Sequence, residues 1–172
     1  MRPPRKLRSE SDLYESALRA LVRRAHSVHE MKQALERRAE DKALVKPVLE
    51  RLKRAGLLDD ARYAKQFVRQ RVEIRRQGKF RIARDLRGRG VPDRHIEAAL
   101  EEASQATDEA AVVRQRIARK LKLLRGEIDE RKIASLYRNL LRAGFPTDII
   151  RRELRAMTRE DVPDIPDASG EL

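Results

Sequence analysis

Apolar residues recur at intervals of three and four along most of the chain, and nowhere do they alternate as the half-buried face of a strand would. The pattern predicts helices. Leu13, Ala17, Leu18, Leu21, Val22 and Ala25 form the stripe of a first helix, Met31, Ala34 and Leu35 mark a second, and Val45, Val48, Leu49 and Leu52 a third. The series then begins again, with Tyr63, Ala64, Phe67, Val68 and Val72, then Ile82, Ala83 and Leu86, then Ile96, Ala99, Leu100 and Ala103. A last set carries Val113, Ile117, Leu121 and Leu124, then Ile133, Leu136, Tyr137, Leu140 and Leu141, then Ile150 and Leu154. The fold class is all-α.

The breaks between stripes have their own chemistry. Ser27 and Glu30 stand in the capping-box relation, the hydroxyl accepting from an early amide while the carboxylate reaches back. Gly56 can end the third helix, and Asp59 and Asp60 then precede the Tyr63 stripe. Further breaks fall at Gly78 and at "RGRGVPD", where Gly88 or Gly90 takes the left-handed position after a helix and Asp93 caps the next helix. Pro47 lacks an amide, so the third helix either starts near Lys46 or is kinked.

Set under one another, "MKQALERRAED", "IARDLRGRGVPD" and "LYRNLLRAGFPTD" superpose. Met31, Ile82 and Leu136 share a position, as do Leu35, Leu86 and Leu140, and Ala39, Gly90 and Gly144 share the helix-ending place. Ile96 pairs with Ile150 and Leu100 with Leu154. A period of about 50 residues suits one three-helix unit that buries part of its face against its neighbours. The expected architecture is an elongated, curved array of three tandem three-helix repeats, at residues 11–58, 59–105 and 106–157. A basic N-terminal tail at 1–10 and an acidic, Pro-broken tail at 158–172 flank it, and both are expected to be disordered.

Charge narrows the partner. Lys and Arg outnumber Asp and Glu by 41 to 28, the net charge is +13 and the pI about 10.7, which favours a polyanion or an acidic protein surface. Only 3% of residues are aromatic, so the core is thin and aliphatic. There is no cysteine, hence no disulfide or thiolate metal site. The N-terminus lacks the apolar stretch of a signal peptide and no run is long enough to span a membrane, so a soluble cytoplasmic protein is expected.

Catalytic chemistry finds little to work with. His26 and His29 lie three apart, His95 is remote, and no helical His-Glu metal motif is present. "QGKF" fails as a phosphate loop because Glu73 and Phe80 stand where Gly and Ser or Thr are needed, and "GRG" at 88–90 follows a helix, not a strand. The Asp59–Asp60 pair reads as a helix cap facing free amides and the positive end of the helix dipole. No enzymatic activity, metal or cofactor is expected.

The basic residues concentrate instead. From Arg69 to Arg89 stand Arg69, Arg71, Arg75, Arg76, Lys79, Arg81, Arg84, Arg87 and Arg89, nine bases against only Glu73 and Asp85. Arg81 and Arg84, with Arg87, follow one side of a helix whose other side carries Ile82, Ala83 and Leu86. Planar, forked guanidinium donors at this density suit phosphates or carboxylates. Arg62 and Arg71, on the helix of the Tyr63 stripe, are left to face a partner, and Arg114, Arg116, Arg119, Lys120 and Lys122 add a second cluster.

"LDDARYAKQFVRQR" and "GKFRIARDLRGRGV" resemble the bacterial RecX regulatory proteins, through Leu58, Asp59, Asp60, Arg62, Tyr63, Ala64, Phe67, Val68 and Arg71, then Gly78, Arg81, Ile82, Asp85, Leu86, Gly90 and Val91. "ALRALVRRAHSVHEMKQAL" is similar to the opening unit of that family, so the resemblance covers about residues 12–157. Ala39 stands where a helix-ending Gly is usual, Met31 where Leu is, and Pro47 lies inside the third helix. The resemblance implies a monomeric negative regulator of the RecA recombinase. Such proteins lie in the groove of the RecA–DNA filament and inhibit its ATPase, strand-exchange and coprotease activities. The arginine-rich residues named above, with Arg116, Arg119 and Lys120, are then expected to meet acidic RecA surface or single- or double-stranded DNA. Composition alone leaves a free-standing helical DNA-binding protein, or a scaffold independent of RecA, as alternatives.

Overall fold

The computed structural model describes residues 6–124 and 128–158. Half of the expected N-terminal tail, residues 1–5, and all but the first residue of the expected C-terminal tail, residues 159–172, therefore lie outside the described residues. Nine α-helices occupy the described residues: α1 Glu10–Arg23, α2 Val28–Glu36, α3 Val45–Arg54, α4 Asp60–Glu73, α5 Lys79–Arg87, α6 Asp93–Ala106, α7 Glu109–Leu123, α8 Glu130–Arg142 and α9 Thr147–Thr158. A 3₁₀ turn, Lys42–Leu44, leads into α3. The chain divides into two compact units, one of residues up to Phe67 with Asp85–Ala99, the other of Val68–Arg84 with the chain from Leu100 onward. Helices α4, α5 and α6 each contribute to both.

In the first unit Leu13, Ala17, Met31, Leu35, Val48, Leu49, Leu52 and Leu58 form one aliphatic core between α1, α2 and α3. Val22 and Ala25 are corrections, since both are exposed, Val22 by 87%. Leu21 packs partly on the core, and one residue further round the helix turns by about 100° to solvent, while α1 ends at Arg23. Pro47 is the third residue of α3, inside the first turn where amides have no intrahelical acceptor, so its missing N–H costs no helical bond.

In the second unit Val113, Ile117, Leu136, Tyr137, Leu140, Phe145, Ile150 and Leu154 make the core where α7, α8 and α9 pack on one another. Leu154 is buried whereas Leu100, its repeat counterpart, is partly exposed.

The helix-ending position repeats as the sequence implies, with one exception. Gly90 and Gly144 have φ of +69° and +87°, and Ala39 stays out of the left-handed region. Each of these residues follows a carbonyl that accepts from an earlier segment. Arg38 O accepts from Leu7 N at 2.8 Å, Arg89 O from Ser27 Oγ at 2.6 Å, and Ala143 O from Gly78 N at 2.9 Å. At the two glycines the approaching chain is so close that an added Cβ would fall 2.4 Å from the His29 ring or 2.3 Å from the Arg81 amide. At Ala39 the approaching segment is the extended residue Leu7, which forms an isolated parallel bridge with Ala39. Lys6–Ser9 are thus ordered structure where a disordered tail was expected: Leu7 takes both a donor and an acceptor role, with Arg38 and Glu40. It occupies the place that Ser27 and Gly78 fill at the other two corners.

Candidate functional site

Asp59 and Asp60 separate into two roles. Asp59 Oδ1 accepts from the amides of Ala61 and Arg62 at 2.9 and 3.0 Å, capping its own helix, and the Arg62 amide foremost holds its pKa below the usual carboxylate value. Asp60 Oδ1 instead accepts from Val28 N at 2.9 Å, so it caps the start of α2, more than thirty residues away in sequence. His29 and His95, distant in sequence, both line the open depression beside this pair, but no group of three or more His, Asp or Glu among the described residues could hold a metal.

Next to it Glu30 is the centre of a half-buried polar network. The capping box is present, Ser27 N donating to Glu30 Oε2 and Glu30 N to Ser27 Oγ, both at 3.1 Å. Arg89 donates to Glu30 Oε1 at 2.7 Å, Arg24 pairs with Oε2 at 3.2 Å, and the Tyr63 hydroxyl donates to Oε2 at 3.3 Å. The Arg89 guanidinium also lies 5.1 Å from the Phe67 ring centre. Burial works against the charged form of Glu30, but the hydrogen bonds from Arg24 and the Ser27 amide and the charge of Arg89 outweigh it and lower its pKa. Burial, then the Glu30 charge, raises that of Tyr63.

The second unit holds a different arrangement. From Ala110 to Leu124 and from Arg131 to Pro146 there is no Asp or Glu, while Arg114, Arg116, Arg119, Lys120 and Lys122 lie on α7 and Arg131, Lys132, Arg138 and Arg142 on α8. Asp108 and Asp129 cap α7 and α8, and buried Glu153 of α9 receives Arg114 at 2.9 Å and Arg152 at 3.3 Å. Glu109 accepts from Lys79 N at 3.3 Å, and burial pushes its pKa up. Between α7 and α8 lies a cavity of about 140 Å³ lined by Arg116, Ile117, Arg119, Lys120, Leu136, Asn139 and Leu140. Arg116 Nη1 is buried without a hydrogen bond among the described residues, and so is Arg81 Nε, whose Nη1 donates to Arg142 O at 3.3 Å. Burial, then the charges of Arg119 and Arg81, lowers the pKa of Arg116.

The family model for the first three-helix domain of RecX matches residues 14–52 and that for the second matches 59–100. Over 149 residues the chain is 42% identical to the regulatory protein RecX of Halorhodospira halophila, covering 86% of this chain and 89% of that protein. The chain belongs to the RecX family. It is also 34% identical to the RecX regulatory protein of Prosthecochloris aestuarii, over 85% of this chain and 95% of that one. A crystal structure of RecX from Lactobacillus salivarius shares the fold, with a TM-score of 0.72 at 21% identity over 88% of this chain and 97% of that one. A second crystal structure, of a regulatory protein RecX, also scores 0.72 at 21% identity, over 87% of this chain and 71% of its own.

Within this RecX chain the thirteen expected contact residues have different surroundings. Arg62 donates to Gly56 O, Arg69 pairs with Glu73 at 3.1 Å, Arg87 with Asp93 at 2.7 Å, and Arg89 is committed to the Glu30 network. Arg75, Arg76 and Arg84 are exposed and make no hydrogen bond or ion pair among the described residues, Arg71 is half-buried, and exposed Lys79 has its ammonium 5.5 Å from the Phe80 ring centre. Arg116, Arg119 and Lys120 meet at the α7–α8 cavity, with Arg81 electrostatically coupled to Arg116. Asn139, which completes that cavity, was not among the expected residues. The absence of acids along α7 and α8 is the sequence signal that would have drawn attention to it.

Proposed function

We propose that this RecX family member is a negative regulator of the RecA recombinase, binding the RecA–DNA filament and inhibiting its ATPase, strand-exchange and coprotease activities. The observation that carries the reading is membership of a family whose relatives are named regulatory proteins, at 42% identity over most of both chains. Supporting it are the cations without a carboxylate partner among the described residues, Arg75, Arg76 and Arg84 and the Arg116–Arg119–Lys120 group. The reading treats the chain as three three-helix repeats at 11–58, 59–105 and 106–157, acting as a monomer without catalysis or cofactor. Spreading cations over successive repeats lets each make a modest contact with a repeating polymer while the sum is strong. The test is RecA ATPase on single-stranded DNA with the protein added below stoichiometry: falling hydrolysis supports inhibition, and unchanged hydrolysis rejects it. A free-standing DNA-binding protein would instead bind bare DNA tightly with a steep salt dependence and leave RecA unaffected.

A further inference from the structure

Apart from its cations, the second unit holds a half-open pocket of about 90 Å³ whose lining residues all belong to that unit. Buried Ile82, Val112 and Phe145 and half-buried Val72 and Leu100 make its walls mainly apolar. It is several times larger than the space one water needs, and such walls offer too few polar partners to order water throughout. An engineered apolar cavity of about 150 Å³ takes a benzene molecule, so this one suits a body of roughly four carbons.

Two acceptors interrupt the apolar walls. Gln77 Oε1 is buried without a hydrogen bond among the described residues, although the backbone that carries it is held on both sides. The Gln77 amide donates to Arg71 O at 3.1 Å and the next amide, Gly78 N, to Ala143 O at 2.9 Å. Arg76, immediately before it, has φ of +50°, a left-handed conformation that a residue other than glycine adopts at a cost. The second acceptor is Glu109, which receives Lys79 N at 3.3 Å and forms no ion pair among the described residues. Burial raises its pKa against the Lys79 amide and charge, and the charge of Asp148 adds to the rise. Lys79 also lines the pocket, but its ammonium is engaged with the Phe80 ring, 5.5 Å from the ring centre.

We infer that the pocket bounded by Gln77 and Glu109 binds an alkylammonium group, with its carbon chain against Ile82, Val112 and Phe145. A primary ammonium carries three donors, enough for both acceptors and for the Thr107 hydroxyl, which lines the same pocket. An alcohol of the same length would satisfy Gln77 but leave the half-buried carboxylate without a counter-charge, and a carboxylate ligand would meet like charge and two acceptors. The group arrives either on a free amine or as the lysine side chain of a protein. The inference goes beyond the RecA reading and needs no part of it.

The experiment follows methyl chemical shifts of the full chain, labelled at Ile, Leu and Val, during titration with n-butylamine near neutral pH. The controls are n-butanol and butyrate. Saturable shifts at Ile82 and Val112 are expected with n-butylamine, binding at least roughly ten-fold weaker with n-butanol, and none with butyrate. Glu109→Gln keeps an oxygen for the Lys79 amide and is expected to weaken n-butylamine roughly ten-fold, as loss of a charge-assisted bond does. Glu97→Gln, an exposed control of equal charge change, leaves it in place. Gln77→Leu removes the other acceptor and is also expected to weaken binding, which keeps the test valid where Glu109→Gln disturbs folding. Titration with N-acetyl-lysine N-methylamide separates the sources: tighter binding than n-butylamine assigns the pocket to a protein lysine, and weaker binding to a free amine. No saturable shift with either amine, equal binding of n-butanol, or unchanged affinity in both pocket variants overturns the inference. The RecA reading stands or falls on ATPase measurements alone.

Discussion

Gly78 and Gly144 meet backbone to backbone: a Cβ on Gly78 would lie 2.3 Å from the Gly144 carbonyl carbon, and the Gly78 amide donates to the preceding carbonyl, Ala143 O, at 2.9 Å. The start of α5 is thereby fastened to the corner between α8 and α9, as the start of α2 is fastened to the corner after α5 through Ser27 and Arg89. Each contact fixes the start of one helix against the end of another, and the two glycines matter for close approach as much as for backbone freedom.

Substituting Gly144 by Ala or Gly90 by Val is expected to destabilise the fold by well over ~1 kcal/mol, since each combines left-handed strain with a contact that something must vacate. Gly56→Ala has the same sign of φ, +67°, but meets nothing within 4 Å, so its loss should be close to ~1 kcal/mol. Urea unfolding of the three variants measures the difference. Equal losses at Gly56 and Gly144 would show that the close approach has no energetic weight.

Asp59→Ala and Asp60→Ala are each expected to cost about 0.5–2 kcal/mol, for different helices. For Asp59 the folded-state pKa lies below the unfolded one, so its contribution is present above the unfolded pKa and lost as pH falls through the folded value. Chemical denaturation across the acid range should therefore show a shallower acid limb for Asp59→Ala than for wild type.

Glu30→Gln is expected to cost about 1–3 kcal/mol near neutral pH, because Arg89 loses its charged partner in a half-buried setting. The depressed pKa of Glu30 gives the same sign as for Asp59, and the variant should converge with wild type as pH falls through that pKa. A loss independent of pH would contradict the ion pair as its source.

Glu109 has the opposite sign. Burial raises its pKa, so the folded state holds the proton more tightly and stability is lost as pH rises from the unfolded pKa through the folded one. Glu109→Gln, which keeps an oxygen for the Lys79 amide, is expected to remove that decline, and thermal melts at acid and neutral pH report it.

Much of the fold was written in local pattern. The stripes of Leu13, Ile82 and Leu136 place their helices, and Ser27–Glu30 and Asp59 mark starts by short-range capping. Misplaced residues were those whose environment depends on where a helix ends or what arrives from elsewhere. Val22 lies one residue off the seam, and Asp60 serves a helix far away in sequence. For the site, counting arginines drew attention to the Arg69–Arg89 segment, yet Arg69, Arg87 and Arg89 are engaged with Glu73, Asp93 and Glu30, partners that the count cannot assign.

The most direct measurement is the rate of RecA-catalysed ATP hydrolysis on single-stranded DNA as this protein is added below one copy per RecA. Inhibition that grows with added protein is expected. Hydrolysis at the uninhibited rate throughout, with the protein folded and present, would contradict the regulatory account.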